Sequence, residues 1–342
     1  MKEGYIPKDQ RKKILLLCDD IRMTSGISTM AREIVLGTAH HFNWVNVGAA
    51  INHPEQGKCL DISADTGRVS GIDDASVFIY PSNGYGTQEF IRVLIDREKP
   101  DAIMFFTDPR YWVWLFQMEN EIRKKIPMIY LNIWDDYPAP IYNQAFYESC
   151  DAIMAISKQT LNINKLVLGK TADGKILRYV PHGINEEAFF PITEFMKDHS
   201  EKLEQKKREI FGSFNPEFVL FYNARNIRRK CTPDLIAAYS IFCDSIGKEA
   251  AKKCALVLHT DVVDDNGTDL GAVKELLCDP EYQKVYFHTQ KLSPEGVNIM
   301  YNIADVTALI SSNEGWGLSL TESMMAGRMI IANVTGGMQD QL

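Results

Sequence analysis

The sequence predicts an α/β protein built from two doubly wound domains, and three observations carry that prediction. The chain has 342 residues, more than one ordinary hydrophobic core organises. Short apolar runs alternate with helix-compatible segments along most of its length, the pattern of parallel strands joined by crossover helices. In the last such unit, an apolar run from Val306 to Ile310 ends in Ser311, Ser312, Asn313 and Glu314. Gly315 and Gly317 then flank Trp316, and a helix-compatible run reaches Gly327. The order there is strand, glycine turn, helix, strand.

Composition bounds the function classes. Hydrophobic residues make up 45% and charged residues 24%, as in a globular protein, and no apolar run approaches a membrane span. The first thirteen residues put charges directly before a short strand and do not form a signal peptide, so a cytoplasmic location is expected. The net charge of −8 disfavours a general nucleic-acid or anionic-membrane binder. Seven cysteines without a C-x2-C pair read as small core residues in a reducing compartment, against a disulfide framework or a zinc site.

In chain order, Lys13 to Cys18 reads as a buried parallel strand. After it, Ser25, Gly26, Ile27 and Ser28 form a small-residue turn that opens a helix, either a plain connection capped by Ser28 or a ligand loop. Apolar runs follow at Trp44 to Val47, Val77 to Tyr80, Ala102 to Phe106, Met128 to Leu131, Ala152 to Ile156 and Ile176 to Val180. The polar stretch Lys58 to Ser76 is a hairpin or an irregular excursion. Tyr111, Trp112, Trp114 and Phe116 read as packing aromatics before sugar platforms. Asp135, at the end of another strand, either orients an acceptor hydroxyl or a basic group, or caps the next helix.

Residues 194–210 read as a charged solvent-facing helix. Phe218 to Asn223 is a strand, followed by a basic turn with Arg225, Arg228, Arg229 and Lys230, and by a helix entered at Thr232 and Pro233. Ala255 to His259 and Val285 to His288 are two more strands. The segment from Asp261 to Asp269 has the composition of a metal loop without calcium-loop spacing, and reads as a turn.

Chemistry is clearest at the closing unit. In an open parallel sheet ligands lie beyond the carboxyl ends of strands, where a helix start points unpaired N–H groups at an anion. Glu314 stands at that edge and Glu322 about one turn into the helix, so two carboxylates bracket the intervening amides. Such an arrangement suits a nucleotide sugar.

Glu314 and Glu322, separated by Gly-Trp-Gly-Leu-Ser-Leu-Thr, resemble the E-x7-E motif of retaining glycosyltransferases with the GT-B fold, and Ala326-Gly327 and Gly336-Gly337 match as well. The resemblance implies two Rossmann-like domains facing a cleft, here 1–184 on the acceptor side and 185–342 on the donor side. It implies that Glu322 holds ribose hydroxyls, and that Glu314 with the amides of Gly315, Trp316, Gly317 and Leu318 holds the sugar and phosphates. Arg225 and Lys230 match the family's Arg-x4-Lys pair, which stabilises a departing diphosphate without a metal. The loop at Gly26 would face the donor diphosphate and the acceptor, and Lys291 would reach the base or a phosphate. The family's His-Asp pair is Trp134-Asp135 here, and its Pro-Asn-Gly crossing has His182 in the Asn place.

The expected function is transfer of a sugar from a nucleoside-diphosphate sugar to an acceptor hydroxyl with retention, with no cofactor beyond the donor. A glycan, lipid-linked sugar, metabolite, protein or hydroxylated DNA base are all open as acceptor. In the family the chain runs on past Gly336-Gly337, so the second domain is expected to be truncated, completed by a second polypeptide, or closed differently. Rival expectations are a nucleotide-sugar-binding subunit inactive alone and a nucleotide-sugar epimerase of the same fold.

Overall fold

The computed structural model describes residues 3–51 and 54–342. The chain divides into two compact units, Met1–Gly183 and Ile184–Leu342. The first holds strands β1 (Lys12–Asp19), β2 (Phe42–Ile51), β3 (Leu60–Asp61), β4 (Val77–Asn83), β5 (Ala102–Phe106), β6 (Met128–Asn132), β7 (Ala152–Ala155) and β8 (Ile176–Tyr179). They form one sheet in the order β3-β4-β2-β1-β5-β6-β7-β8. Every pairing is parallel except that of β3 with β4.

Strand β1 shows why the sheet forms. Ile14 through Asp19 are all buried, so both faces of the strand are covered, as an unbroken Ile-Leu-Leu-Leu-Cys run requires. One face packs Leu15 and Leu17 with Ile103, Phe105, Trp112 and Tyr130. Each such side chain contributes roughly 1.5–3 kcal/mol on burial. Trp112 and Phe116 are packing residues, whereas Tyr111 is half-exposed.

Two details differ from the sequence reading. The cap of helix Gly26–Thr38 is Ser25, whose hydroxyl accepts from Ser28 N–H at 3.0 Å. Ser28 already lies inside the helix and donates its hydroxyl to the Asp20 carbonyl at 2.6 Å. The stretch Lys58 to Ser76 is neither a full hairpin nor irregular: β3 is followed by helix Ser63–Ser70, which ends at Gly71 with φ +71°. Its polar face hid the helical period.

The second unit holds β9 (Phe218–Asn223), β10 (Cys254–His259), β11 (Lys284–His288), β12 (Val306–Leu309) and β13 (Met329–Ala332), all parallel, in the order β11-β10-β9-β12-β13. Alternate residues serve opposite faces: Leu220, Tyr222, Leu256 and Leu258 enter one core, Val219, Phe221, Ala255 and Val257 the other. The charged stretch after residue 194 forms helix Lys197–Phe211, anchored by its one buried residue, Phe211. Helix Thr232–Ile246 carries Pro233 in its first turn, where a missing N–H costs nothing. The chain passes from β9 to β10 and β11 on one side and reaches β12 on the other, so the topological switch lies between β9 and β12. Among the described residues no helix is long and apolar enough to cross a membrane.

Candidate functional site

The loops after β9 and β12 meet at that switch. A tight turn, Arg228–Lys230, follows β9 and closes at Cys231 with φ +53° before the next helix begins. It is tied to the loop after β12 by Ser312 N–H, which donates to the Arg229 carbonyl at 2.8 Å. Arg229 Nη1 donates to the Asn313 carbonyl at 2.7 Å and lies 3.1 Å from Glu314 Oε2. Lys230 Nζ takes the other carboxylate oxygen, Oε1. Burial pushes the Glu314 carboxyl up, but Lys230 and Arg229 outweigh it and hold the group below its ordinary value. Two cations thus share one buried carboxylate at the carboxyl edge of the sheet.

Glycines set the backbone beside this cluster. A Cβ on Gly336, whose φ is +53°, would fall 2.0 Å from the Glu314 carbonyl oxygen, and one on Gly337 2.0 Å from that of Gly315. Gly337 N–H donates to the Glu314 carbonyl at 2.8 Å. The glycine pair therefore lets one segment lie directly on the backbone of residues 314–316. Gly317, with φ +86°, then opens helix Leu318–Met325, and among the described residues no side chain caps it. Gly315 and Leu318 are partly exposed at this start. Trp316 is placed otherwise: it is buried, its indole N–H donates to Thr321 Oγ1 at 3.0 Å, and Thr321 donates to Gln341 Oε1 at 2.7 Å.

Glu322 sits in the second turn of that helix. Tyr301 donates its phenol hydrogen to Glu322 Oε2 at 2.7 Å and accepts from Asn223 Nδ2 at 2.8 Å. Asn223 is the last residue of β9, so the strand end, the helix Pro294–Ile303 and the helix Leu318–Met325 fix one carboxylate together. Glu322 keeps part of its surface exposed yet is densely surrounded, and desolvation pushes its carboxyl up against the opposing Tyr301 bond.

The remaining residues singled out by sequence fall elsewhere. Arg225 does not join Glu314; it is 62% exposed and forms a two-pronged pair with Asp264, at 2.7 and 3.2 Å. Its neighbour Asn226 clamps the turn after β10, donating to the carbonyls of Val262 at 3.2 Å and Thr268 at 2.7 Å and accepting from Thr268 N–H at 3.3 Å. Gly267 is required there, since a Cβ would meet the Asn226 carbonyl oxygen at 2.3 Å. Lys291 is exposed in the connection after β11. In the first unit, Gly26 is the first residue of its helix, and Asp135 is partly buried with its carbonyl accepting from Gln159 at 3.2 Å. His182 packs edge-on against Phe106 with ring centroids 6.0 Å apart, and burial lowers it to about 4.

Sequence reasoning placed Arg229 in the basic turn without assigning it a role, and did not single out Tyr301 or Asn223. Arg229 had a signal, its place beside Lys230 in a tight turn. Tyr301 had none, being 21 residues from the carboxylate that it orients. Among the described residues no group of three or more metal-ligating side chains converges.

Residues 203–342 match the family model described as glycosyl transferases group 1. Mannosylfructose-phosphate synthase of Agrobacterium fabrum is 24% identical over 193 residues, 56% of this chain and 39% of that protein. The alignment thus spans well under half of that relative. Among solved structures, sucrose-phosphate synthase from Thermosynechococcus elongatus superposes with a TM-score of 0.69 at 17% identity, covering 96% of this chain and 83% of that one. The catalytic domain of starch synthase IV from Arabidopsis thaliana, solved with ADP and acarbose, gives 0.62 at 11% identity, covering 97% and 84%. Each unit is built on a sheet of mainly parallel strands, as in the GT-B fold of these enzymes, and residues 203–342 carry the match to the glycosyl transferases group 1 model.

Proposed function

We propose that this chain is a metal-independent glycosyltransferase that moves a sugar from a nucleoside diphosphate to an acceptor hydroxyl with retention at the anomeric carbon. The observation that carries the reading is the convergence of Lys230 and Arg229 on buried Glu314, beside the uncapped start of helix Leu318–Met325. Cations and helix N–H groups meet there as an anion site requires. The names of the three relatives, synthases of mannosylfructose phosphate, sucrose phosphate and starch, support it.

In this reading Glu322, oriented by Tyr301, accepts the ribose hydroxyls. Lys230 and Arg229 are shared between Glu314 and the incoming diphosphate, and Arg225, on exchanging Asp264 for the diphosphate, adds a third cation. The bond from the anomeric carbon to the phosphate oxygen breaks, its electron pair leaves with the diphosphate, and the fixed cations meet that charge. The acceptor oxygen bonds to the same face of the anomeric carbon, and its proton passes to the departing phosphate oxygen. Glu314 holds the sugar hydroxyls, and no cofactor beyond the donor is invoked. The free thiols, five of seven buried, favour a reducing cytoplasmic setting.

The test is nucleoside diphosphate release from uridine, adenosine, guanosine and thymidine diphosphate sugars, with the product anomer read by NMR. Release from one donor that disappears in Lys230→Met is the expected result. Inversion at the anomeric carbon would overturn retention, and absence of both release and nucleotide binding would overturn the assignment.

A further inference from the structure

The first unit has its own switch point. β1 and β5 are neighbours, yet the chain leaves β1 toward β2 and β4 and leaves β5 toward β6, so the loops at their carboxyl ends diverge and open a crevice. Asp19, the last residue of β1, lies at that edge and is 6% exposed. It continues the face of Leu15 and Leu17, which packs with Trp112 and the partly buried Tyr85.

One carboxylate oxygen of Asp19 is satisfied and the other is not. Oδ2 accepts from the Ser25 hydroxyl at 2.5 Å, and Oδ1 is buried with no hydrogen-bond partner among the described residues. An unpaired buried acceptor is costly, and one of the reasons that folded proteins retain it is completion by a ligand. Beside it, Tyr85 and Tyr111 stack with centroids 4.3 Å apart and planes 15° from parallel, and Tyr111 stays 49% exposed. Burial, then the charge of Asp19, push the Tyr85 phenol up to about 12.

The charge of this edge selects its ligand. The start of helix Gly26–Thr38 would otherwise favour a phosphate, but Ser25, its cap, already delivers its hydroxyl hydrogen to Asp19. Asp20 is held by Arg22 at 2.7 Å, and Arg110 is held by Asp108 at 2.6 Å, so these cations are already matched by carboxylates. A second anion would meet Asp19 without a dedicated counter-charge. A hydroxyl would supply the hydrogen that Oδ1 lacks.

We propose that this crevice is the acceptor subsite and takes a neutral polyhydroxy group, a sugar or cyclic polyol without phosphate, with one hydroxyl donating to Asp19 Oδ1 and an apolar face on Tyr111. Only the word acceptor rests on the transferase reading; the binding chemistry does not. Asp19 is thereby a specificity-determining residue that selects hydroxyl over phosphate.

Saturation-transfer NMR on the full chain tests this, with glucose, mannose, fructose, maltose and myo-inositol as neutral probes, and glucose 6-phosphate and fructose 6-phosphate as charged ones. Calorimetry with UDP and ADP runs in parallel. The expected result is a neutral probe whose affinity falls about tenfold in Asp19→Asn and about fivefold in Tyr111→Ala, with nucleotide affinity within about twofold of the parent chain. Because Tyr111 is half-exposed, its variant keeps the test open if Asp19→Asn does not fold. Tighter binding of a phosphorylated probe than of its neutral parent, no binding of any neutral probe, or no loss in either variant would overturn the proposal. Neutral-probe binding lost in the variants while neither nucleotide binds would support the subsite and overturn the transferase reading.

Discussion

Tyr301 donates its phenol hydrogen to Glu322 Oε2 at 2.7 Å, so the aim of this carboxylate is set from a neighbouring helix rather than from its own. Tyr301→Phe removes that bond and leaves both Asn223 and Glu322 short of a partner. We expect a loss of about 1–3 kcal/mol in stability and a rise in donor KM of about five- to tenfold with little change in kcat. Steady-state kinetics beside thermal melts separate the two effects.

Lys230 and Arg229 divide Glu314 between them, and their removal is unequal. Lys230 is the more buried cation, 13% exposed against 35% for Arg229. Lys230→Met is expected to cost about 3 kcal/mol, because it strips a buried carboxylate of its closest counter-charge. Adding Glu314→Gln to that variant should recover part of the loss, and a denaturation cycle over the four proteins measures the coupling. Independent effects that simply add would contradict the shared-carboxylate arrangement.

Arg225 offers the opposite case. Its pair with Asp264 is exposed on the arginine side, and such pairs contribute about 0–1 kcal/mol. Arg225→Ala should therefore melt within about 2 °C of the parent chain while nucleoside diphosphate release falls at least about tenfold. An unchanged release rate would remove Arg225 from the leaving-group site.

The pH dependence follows from three groups of the second unit. Glu314 is held below its ordinary value, so its contribution is full above the unfolded carboxylate pKa and is lost as pH falls through the folded one. Glu322 is held above, so its contribution is full below the unfolded value and is lost as pH rises through the folded one. His259, lowered from 6.5 to about 4 by burial and by His288, stabilises above pH 6.5 and loses that contribution as pH falls toward 4. Urea melts of Glu322→Gln should show it gaining on the parent chain from pH 4.5 to 7.5, whereas the deficit of Glu314→Gln should hold steady over that range and shrink as pH falls below 4.5.

Gly337→Ala should be among the most damaging changes. The added carbon would lie 2.0 Å from one carbonyl oxygen and 2.7 Å from the Trp316 Cα, both backbone atoms that cannot step aside. A loss above about 4 kcal/mol is expected, read as insolubility or as a melting point more than about 8 °C lower.

Much of this architecture was legible because parallel strands buried on both faces read as plain apolar runs. The runs at Val306, Ala255 and Phe218 all became strands, and the turn at Gly317 started its helix as expected. Ion pairing was less legible. Arg225 and Lys230 stand five positions apart in sequence, yet the tight turn at Arg228–Lys230 sends Lys230 to Glu314 while Arg225 goes to Asp264. Trp316 between two glycines resembles an exposed ligand contact; Thr321 and Gln341 hold it inward, and that link spans 25 residues. Such partners are fixed by tertiary packing, which spacing alone does not encode.

Asn226 has a thermodynamic consequence. By clamping the turn after β10 at both Val262 and Thr268, it joins two strand-end loops into one body before any ligand arrives. The entropy of ordering those loops is already lost on folding, so capture of an anion by Arg225 would restrict one side chain rather than two mobile segments. On the proposed reading, the backbone of that site is ordered on folding, and binding asks only that Arg225 exchange Asp264 for the anion.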